Sequence, residues 1–590
     1  MEKLREMSTT KLLRLADRLQ KDPETYSMAT GSAKKVRIAV LGSYSIQHFV
    51  KVLKLYMDRA GLIAEVYEGE YGGINMDVLD ESSPLYSFGA DFVLILSRYN
   101  DFSLESEDDL NNAKSWYESL WGHLGRIPGA TVICSNIATP LERTFGSLSA
   151  SSTDSPLYLY RKLNLFLTET HPSNVRILDM DYLSGFFGKE YWFDEKNYYL
   201  TKQGASLDFL GPIADEVTKM ILPVLGKVHK CLVLDLDNTL WGGVVGDDGP
   251  DGIDIDPHDP LGEAYRAFQA YVLSLKKRGV ILAVNSKNDE AIAKEPFEKN
   301  SDMILKLSDI ACFVANWQDK ASNMAFIAKS LNIGIDSLVF FDDNPAERDI
   351  VRKFCPEALV VEVPEEPEEY IRALDCSGAF DWAEITEEDR ARSDSYAQNA
   401  KREELAASFV DYREYLKALE MKGTAAPVGE KELQRFAQLT NKSNQFNLRT
   451  RRYTEGELRE MLLESRYRLI YVSLSDRFTQ YGIISCIILK QGSAAEGFSE
   501  EDCFIDNWCM SCRVLKRSVE LFAFREVVKE AREMGCKSLI GEYIRTKKNG
   551  MVEGLYPKLG FTALESEDRV LYAYDLSKEI EGEIWIGNEH

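Results

Sequence analysis

The sequence lacks the features that mark membrane, secreted or nucleic-acid-binding proteins. No apolar run approaches the roughly 18 residues of a membrane-spanning helix. No long apolar core follows the basic residues at the amino terminus, so we expect no signal peptide. The formal net charge of −25 argues against nucleic acid or an anionic membrane as the main partner. We therefore expect a cytoplasmic protein, and an acidic carrier protein is still possible because a local basic patch can outweigh the mean charge.

Paired metal-binding cysteines are also scarce. The ten cysteines are irregularly spaced, and the one close C-x-x-C pair is Cys509 and Cys512. That pair lies in an apolar, strand-like stretch without the second pair or the histidines that a zinc site requires. We expect reduced thiols, as in a cytosol, and no zinc centre.

The length of 590 residues predicts about three or four domains. Two segments alternate apolar strands with helices, which predicts two α/β sheets, the second of them doubly wound and parallel. A third segment mixes helices with antiparallel strands in an α+β pattern. The predicted boundaries are an N-terminal helix and linker (1–35), a first α/β domain (36–226), a second α/β domain (227–375), a connecting helix (376–422), an α+β domain (423–580) and a tail (581–590).

The most informative stretch is the buried strand predicted at residues 231–234. It runs directly into Asp235 and Asp237, with Thr239 two residues further on. Because ligands bind at the carboxyl ends of strands in a parallel sheet, we expect these side chains at the rim of the sheet. If the strand continued, the two carboxylates would project from the same face, and such a pair needs a cation or a shared proton.

Three later stretches bring polar side chains to the same rim. Two of them follow buried strands predicted at residues 280–284 and 338–341, and one opens a helix, whose positive end favours anions. Parallel strands separated by helices gather these ends at one edge. The combination suits a phosphate group beside a cluster of carboxylates. The residues concerned are Ser286, Lys320, Asp342 and Asp343.

Together these residues resemble the haloacid-dehalogenase (HAD) superfamily of phosphotransferases, whose D-x-D-x-T signature would be Asp235, Asp237 and Thr239. The resemblance implies that Asp235 is the nucleophile and becomes an aspartyl phosphate. It implies that Asp237 protonates the leaving oxygen and then deprotonates the attacking water. The implied phosphate-binding residues are Thr239, Ser286 and Lys320.

The same resemblance implies a Mg²⁺ cofactor. Asp235, the carbonyl group of Asp237 and Asp343 would hold the ion, with Asp342 close by. A carboxylate cannot approach an anionic phosphate unless Mg²⁺ and Lys320 neutralise the charge. We therefore expect a phosphorylated small-molecule substrate.

The larger cap domains of that superfamily have no room in this sequence. Residues 241–260 suffice only for a Gly- and Asp-rich hairpin, and residues 286–320 only for a helix, a strand and a loop. The open rim would admit a large substrate or be covered by another domain. We expect the first α/β domain to act as this lid or as a docking domain.

The first α/β domain loosely resembles the SGNH hydrolase fold, with Ser43 after the first strand at the position of the nucleophile. That family needs a histidine, with an acid three residues before it, to activate the serine. The matching region, residues 194–201, contains no histidine, and His171 is expected to be a solvated loop residue. We therefore expect no hydrolysis at Ser43.

The α+β domain resembles the GNAT acyltransferase fold, with Asn549 and Tyr556 at late positions. It departs where that family holds the pyrophosphate of coenzyme A in a Gly-rich turn, because residues 514–518 contain no glycine. A pantetheine arm on a carrier protein lacks that pyrophosphate and would suffer less from the change. The polar stretch 440–449 has too few apolar residues for a core, so we expect it to lie outside the core.

The complete order of motifs is similar to the FkbH-like family from about residue 36 to the end. The motifs are D-L-D-N-T-L-W-G-G from Asp235, N-W-x-D-K-x-x-N from Asn316, F-F-D-D-N-P-A-E-R from Phe340, L-T-N-K-S-N-Q-F-N-L-R-T from Leu439 and M-S-C-R-V from Met510. Members of that family are implicated in capturing a glyceryl unit from 1,3-bisphosphoglycerate, removing phosphate and passing the acyl group to an acyl carrier protein. The resemblance implies a phosphatase combined with an acyltransferase, with a carrier protein as partner.

Thioester formation requires a thiolate, and we expect Cys512 to supply it at the end of a strand. Arg513 and two further basic residues nearby would lower the pKa of the thiol and hold an anionic substrate. The alternatives are that Cys512 is a buried core residue or that Cys509 is the nucleophile. Asn441 and Arg449 are candidates for binding a polyol or a phosphate, unless the polar loop only caps itself.

Two other functions remain open from the sequence. One is a simple Mg²⁺-dependent phosphatase of a small phosphometabolite in a polysaccharide or secondary-metabolite pathway, in which the last domain only binds. The other is a non-catalytic scaffold that docks a carrier protein and retains a relic phosphate site. The intact set of acids, serine and lysine favours an enzyme over the scaffold.

Overall fold

The computed structural model describes residues 2–5, 7–29, 33–385, 409, 411–443, 445–492, 498–511, 514–515, 517–546, 549–564 and 569–588. The chain divides into two compact units. One consists of Met1–Leu222 and Thr454–Glu457, and the other of Pro223–Tyr453 and Leu458–His590. Within the described ranges, no helix combines the length and the apolar character that crossing a bilayer requires.

A parallel sheet forms the centre of the first unit. Its strands are β1 (Lys34–Gly42), β2 (Leu62–Glu68), β3 (Phe92–Leu96), β4 (Thr131–Ser135) and β5 (Val175–Leu178). They pair in the order β2-β1-β3-β4-β5, always in parallel, as the α/β pattern predicts. The strand order reverses between β1 and β3, so their carboxyl ends flank a topological switch point, where open α/β sheets bind ligands.

Helices connect the strands of this sheet and cover its faces. The longer ones are Thr9–Lys21, Gln47–Arg59, Glu107–Leu124, Pro156–Thr170 and Leu210–Val224. Shorter helices are Pro23–Tyr26, Ile74–Leu79, Pro84–Phe88, Met180–Phe187, Lys189–Trp192 and Glu195–Thr201. Ser106 caps Glu107–Leu124, because its hydroxyl oxygen accepts a hydrogen bond from the backbone N–H of Asp109. The inward face of that helix buries Leu110, Tyr117 and Trp121 against the sheet.

A second parallel sheet lies in the second unit. Its strands are β6 (Cys231–Leu234), β7 (Ile281–Ser286), β8 (Ile310–Ala315), β9 (Leu338–Phe341) and β10 (Leu359–Val360), in the order β10-β9-β6-β7-β8. Its helices are Pro260–Lys277, Glu290–Lys299, Lys320–Ser330, Pro345–Phe354 and Tyr370–Cys376. Alternate residues of β6 enter two different cores, Leu232 on one face with Phe268 and Val233 on the other with Met324. The predicted doubly wound parallel sheet is therefore confirmed.

The two segments that could have held a large cap are short in the structure. After β6 the chain forms the helical turn Val245–Asp248 and an antiparallel bridge between Gly242 and Asp254. Between β7 and the helix Lys320–Ser330 it forms only Glu290–Lys299, a turn and β8. Neither segment builds a separate domain, in agreement with the sequence.

A third, mixed sheet completes the second unit. Its strands are β11 (Lys422–Pro427), β12 (Phe446–Asn447), β13 (Tyr467–Ser475), β14 (Gln480–Gln491), β15 (Asp502–Met510), β16 (Ser538–Glu542), β17 (Thr562–Leu564), β18 (Leu571–Asp575) and β19 (Gly587–Asn588). The order is β17-β18-β16-β15-β14-β13-β11-β19, with β12 beside β15. Within the described strands, β15 pairs in parallel with β16 and β11 with β19, and the other pairings are antiparallel. Its helices are Tyr412–Ala418, Glu430–Lys442, Val519–Glu533 and Leu555–Lys558. The helix Glu455–Leu463 has its first three residues in the first unit and the rest in the second.

The predicted connecting helix and the predicted tail differ from the other predicted segments. Most of the predicted connecting helix, residues 386–408 and 410, lies outside the described residues, and residues 381–385 are not helical. The segment predicted as a tail contains β19, which pairs with β11. The domain boundaries, the likeness of the first sheet to SGNH hydrolases and its role as a lid stay predictions.

The polar stretch at residues 440–449 is part of a core, and the contrary prediction was wrong. Phe446 pairs with Met510 through β12, and Phe446 and Leu448 are buried in the core of the third sheet. Asn447 is buried as well, and its amide oxygen accepts a hydrogen bond from the backbone N–H of Thr450. The stretch can enter the core with only these two apolar side chains, because they project from the same face of the strand and hydrogen bonds satisfy the polar side chain of Asn447 between them.

Candidate active site

Three carboxylates converge at the carboxyl edge of the second sheet. Asp235 directly follows β6, and Asp342 and Asp343 directly follow β9. One oxygen atom from each residue lies within 4.8 Å of the other two. The cause is the topology, because β6 and β9 are adjacent and parallel and end at the same level, with Leu234 paired to Phe341. The structure thus brings these three predicted residues together.

Lys320 is the cation of this group, which we call the carboxylate cluster (Asp235, Asp342, Asp343 and Lys320). It is the first residue of the helix Lys320–Ser330, and its side chain is only 2% exposed. Its Nζ lies 2.8 Å from Oδ2 of Asp235 and 2.5 Å from Oδ2 of Asp342. Burial opposes the positive charge, but the two carboxylates outweigh it and raise the pKa of Lys320.

The carboxylate cluster holds more negative than positive charge. Burial first, and then the charge of Asp235, raise the pKa of Asp342 and that of Asp343 above their usual values. Oδ1 of Asp235 is buried and has no hydrogen-bond partner among the described residues. An unpartnered anionic oxygen beside two further carboxylates is a donor set that fits a hard divalent cation such as Mg²⁺. The residues present therefore fit the predicted cofactor.

Asp237 does not add its carboxylate to the cluster. Its Oδ1 accepts hydrogen bonds from Nε1 of Trp241 (2.9 Å) and the backbone N–H of Val245 (3.0 Å), and its Oδ2 accepts one from Nδ2 of Asn288 (3.1 Å). Burial raises the pKa of Asp237, and these donors oppose the shift. The pairing with Asp235 that a continued strand would give is absent, since β6 ends at residue 234.

The donors to Asp237 include two functional candidates that the sequence reasoning missed. Trp241 is buried four residues after Asp237, and Asn288 is buried two residues beyond the end of β7. The spacing in the sequence could have indicated Trp241. A tight turn directly after a strand brings a residue four positions later back to Asp237. Asn288 offered no such signal, since it comes from a distant part of the chain.

Thr239 and Ser286 both lie at this edge. The Thr239 hydroxyl is 3.3 Å from Oδ1 of Asp343, and it accepts a hydrogen bond from the Asp343 N–H at the same distance. Ser286 is buried and ends β7, next to β6. Asn285, the residue before Ser286, donates to the Lys320 carbonyl oxygen (2.9 Å) and accepts from Nδ2 of Asn323 (3.0 Å). It therefore fixes the start of the helix that carries Lys320.

Arg348 supports the acidic pair from behind. This buried residue of the helix Pro345–Phe354 donates from one guanidinium nitrogen to the carbonyl oxygens of Asp342 and Asp343, both at 2.8 Å. Its contacts hold the backbone that presents the two carboxylates. Arg348 is the last residue of the motif that begins at Phe340, and the motif alone does not indicate this role.

Arg449 occupies a second buried group of charges, in the third sheet. Its Nε donates to Oε2 of Glu542 (2.6 Å), and one terminal nitrogen donates to Oδ1 of Asp506 (2.7 Å). The parallel pairing of β15 with β16 ends at Ile505 and Gly541, so Asp506 and Glu542 are the first residues after the strands part. Arg449 thus bridges the two strands at the point of separation, and its guanidinium is committed to protein contacts.

The surrounding groups complete what we call the arginine cluster (Arg449, Arg451, Tyr453, Asp506, Glu542 and Arg569). Asp506 also accepts from Arg451 at 3.2 Å and from the Tyr453 hydroxyl, and Glu542 accepts from Arg569 at 2.6 Å. Burial raises the pKa of Glu542, but Arg569 and Arg449 outweigh burial, and the net pKa is lowered. Every carboxylate oxygen of this cluster has a donor.

Two of the other predicted residues of the last domain, Asn441 and Cys509, make contacts within the protein. Asn441 donates from its amide to the carbonyl oxygen of Tyr453 at 2.9 Å, so it holds a turn. Cys509 is fully buried in β15, opposite Cys486 in β14. Cys512 and Arg513 lie outside the described residues. Their proposed roles therefore stay predictions.

Comparison with known proteins adds a family and a solved relative. The family model of the FkbH N-terminal domain matches residues 37–222. A crystal structure described as the N-terminal part of the protein BF1531 from Bacteroides fragilis, containing a phosphatase domain complexed with Mg, shares 35% sequence identity. The match covers 64% of this chain and 100% of that chain, with a TM-score of 0.59.

More distant solved structures each match about a quarter of this chain. The ribosomal-protein-S18-alanine N-acetyltransferase from Escherichia coli is 14% identical and covers 27% of this chain and 96% of its own, with a TM-score of 0.20. The GNAT domain of S. lividans PAT is 10% identical and covers 26% and 90%, with a TM-score of 0.22. The search of curated proteins returned no match. From the matched N-terminal model and the relative whose whole length is covered, the chain belongs to the FkbH-like family and contains a HAD-like phosphatase domain.

Proposed function

We propose that the chain is a Mg²⁺-dependent phosphatase in which Asp235 attacks a phosphorylated small molecule. The observation that carries this proposal is the carboxylate cluster, with its excess negative charge and the unpartnered oxygen of Asp235. The Mg-bound phosphatase domain of the Bacteroides fragilis relative supports the same assignment. Neither the segment after β6 nor the segment after β7 forms a large cap over this edge of the sheet.

The proposed reaction uses the residues at this edge in sequence. Asp235, Asp343 and the Asp237 carbonyl group would hold Mg²⁺, with Asp342 nearby, and the bound ion supplies Lewis-acid stabilisation of the phosphate charge. The Asp235 carboxylate forms a bond to phosphorus while the bond to the leaving oxygen breaks, and Asp237 gives that oxygen its proton. Asp237 then removes a proton from the water that hydrolyses the aspartyl phosphate.

Lys320 has two roles in this proposal. Its ammonium group offsets part of the negative charge that the nucleophile and an incoming phosphate bring together, and it fixes the orientation of the Asp235 carboxylate by a 2.8 Å contact. Its position at the start of a helix adds the positive end of the helix dipole to the site. Thr239 and Ser286 would complete the phosphate site from the neighbouring strand ends.

The finer proposal adds the transfer of a glyceryl group. A thiolate, by our prediction that of Cys512, takes the acyl group of 1,3-bisphosphoglycerate as a thioester, and the acyl phosphate leaves as inorganic phosphate. The phosphatase site removes the remaining phosphate. The thiol of an acyl carrier protein then displaces Cys512 and receives the glyceryl group. The order of sequence motifs supports this proposal, and so does the turn without glycine at residues 514–518, which disfavours coenzyme A.

We assign the α+β domain to the GNAT fold within this proposal. The supporting features are the parallel pairing of β15 with β16 inside an otherwise antiparallel neighbourhood, and the late residues Asn549 and Tyr556. The Asn549 amide donates to the carbonyl oxygens of Asn447 and Ile544, both at 2.9 Å, so it ties β12 to the end of β16.

The test is intact-protein mass spectrometry after the chain is mixed with Mg²⁺ and 1,3-bisphosphoglycerate. We expect a glyceryl adduct on the wild-type chain, no adduct on Cys512→Ala, and an adduct that keeps its phosphate on Asp235→Asn. Cys376→Ala is the matched control, because Cys376 is partly accessible and lies at the end of the helix Tyr370–Cys376, which packs on the second sheet. This variant should carry the same adduct as the wild-type chain.

Other outcomes separate the alternatives. Release of phosphate without any adduct would reduce the function to that of a simple phosphatase acting on another metabolite. Absence of both phosphate release and adduct, with this and with generic phosphomonoesters, would favour the non-catalytic carrier-docking scaffold.

A further inference from the structure

The first unit contains a cavity at the switch point of its sheet. The cavity has a volume of about 510 Å³ and lies beyond the carboxyl ends of β1 and β3. Its size is within the roughly 300–1,000 Å³ typical of small-molecule sites. The lining residues that bear on its chemistry are Ser43, Asn75, Asp101, Asn112 and Trp116.

Several polar groups at this cavity are available to a ligand. The Ser43 hydroxyl oxygen is buried and forms no well-aligned hydrogen bond within the described residues. It lies close enough to Asp101 to lower the pKa of that carboxyl group, against a larger rise caused by burial. One Asp101 oxygen accepts from the Arg98 N–H at 2.7 Å, which fixes the carboxylate at the cavity lining beside Ser43. Asn112 lies on the exposed face of the helix Glu107–Leu124.

An aromatic ring completes the lining. Trp116 is half-buried, and its indole N–H donates to Oδ1 of Asn75 at 2.7 Å, which fixes the ring at the cavity. The face of an indole ring packs well against the apolar face of a sugar-like ring, and hydroxyl and amide groups then satisfy the hydroxyls at its edge.

The lining also excludes ligand classes. No Lys, Arg or His side chain belongs to it, whereas Asp101 and Asp109 do, so an anion such as a phosphate ester is repelled. Asp109 already accepts hydrogen bonds from the Ser106 hydroxyl and the Glu105 N–H, which weakens its pull on a cation. The lining holds no histidine, so the Ser43 hydroxyl lacks the imidazole base of a Ser-His-Asp triad.

We propose that this cavity is a binding site for a neutral, hydroxyl-rich small molecule about the size of a monosaccharide. Ser43, Asp101 and Asn112 exchange hydrogen bonds with its hydroxyl groups, and Trp116 packs against its ring. The site binds and does not hydrolyse. It is independent of the proposed phosphatase reaction, whose residues belong to the second unit.

The test is saturation-transfer NMR on the full chain with three probes of the same ring shape, namely glucose, glucuronate and glucosamine. We expect transfer to neutral glucose to exceed transfer to anionic glucuronate and cationic glucosamine. Loss of one or two hydrogen bonds in Ser43→Val or Asn112→Leu should weaken glucose binding by about threefold to tenfold. Asn111→Leu is the matched control, an exposed neighbour on the same helix outside the cavity lining, and it should bind as the wild type does.

Three results would overturn the proposal. They are no saturation transfer to any of the three sugars, stronger transfer to either charged probe, and glucose binding that Asn112→Leu and Asn111→Leu affect equally. Asn112 is exposed, so its substitution tests the site even if Ser43→Val disturbs folding.

Discussion

The carboxylate cluster and the arginine cluster are both buried groups of charges at strand ends, but they differ in one respect. In the arginine cluster each carboxylate oxygen of Asp506 and Glu542 has a donor, and the pKa of Glu542 is lowered. In the carboxylate cluster one oxygen of Asp235 has none, and the pKa values of Asp342 and Asp343 are raised. The first arrangement is complete as folded, whereas the second is short of positive charge.

This difference separates a structural ion network from a binding site. Buried carboxylates are costly unless their charge is compensated, and a network whose carboxylates are paired with arginines needs no further cation. A buried cluster with excess charge keeps that cost until a cation or substrate arrives, which is the usual condition of a functional site. The contacts of Arg449 are those of a structural residue, and its predicted role in substrate binding stays a prediction.

The largest effect is expected from the nucleophile. Asp235→Asn should lower phosphatase activity by at least about 10³-fold, because an amide cannot form the aspartyl phosphate. The same change removes excess negative charge and should leave the melting temperature of the metal-free protein unchanged or higher. Phosphate release and thermal unfolding measure the two effects. The control is Asp247→Asn, an exposed acid of the short helix after β6, and equal activity in both variants would remove Asp235 from the mechanism.

The next effect concerns the arginine cluster. Arg449→Leu leaves Asp506 and Glu542 buried without their shared partner, so the domain should lose roughly 3–5 kcal/mol of unfolding free energy. Denaturant unfolding followed by the fluorescence of buried Trp508 measures it. Arg451→Leu is the matched control, because Arg451 is 51% exposed and contacts the same Asp506; its loss should cost no more than about 1 kcal/mol.

A stable Arg449→Leu protein that has lost activity would reverse the comparison. Arg449 would then act on substrate, as the sequence first indicated, and the arginine cluster would join the functional sites.

Metal addition should distinguish the two clusters directly. Mg²⁺ at about 10–100 times its dissociation constant should stabilise the wild-type chain by about 1.4–2.7 kcal/mol, seen as a rise in melting temperature. Asp343→Asn should lose this rise because a ligand and a charge are gone. A variant of the arginine cluster, Arg451→Leu, should keep it. If Mg²⁺ stabilises Asp343→Asn as much as the wild type, the ion binds elsewhere.

The sequence predicted those parts of the site that depend only on strand ends. Apolar runs end at Asp235 and Asp342, and parallel packing of neighbouring strands is enough to bring their side chains together. The direction of Asp237 depends instead on the turn after β6, where Asn238 adopts a positive φ of 53° and breaks the alternation of side chains. The composition and periodicity of a sequence do not predict that one residue, here Asn238, adopts a left-handed backbone conformation.

The arginine cluster was hidden from the sequence for another reason. Arg449, Asp506 and Glu542 are far apart in the chain, and they meet only because β12 packs beside β15 where β16 departs. A local pattern shows an arginine in a polar stretch, which is equally typical of a substrate loop. Only the strand pairing shows that both of its partners are buried acids.

The smallest effect is expected at Asp237, a fully paired carboxylate inside the incomplete site. Asn288→Leu removes one of the three hydrogen bonds to the Asp237 carboxylate, the one that Oδ2 accepts. Because the remaining donors, Trp241 and Val245, both bind Oδ1, Oδ2 can then rotate out of position. We expect kcat to fall about tenfold with KM little changed, because a misaligned proton donor affects the reaction and not the binding of phosphate. Steady-state kinetics measure both constants. Asn300→Leu provides the control, because the Asn300 amide donates to the Pro250 carbonyl oxygen and accepts from the Asp302 N–H, both at 2.9 Å, and contacts no residue of the site. A rise in KM with kcat unchanged would instead place Asn288 at the substrate, and Asp237 would then be oriented by its Oδ1 donors alone.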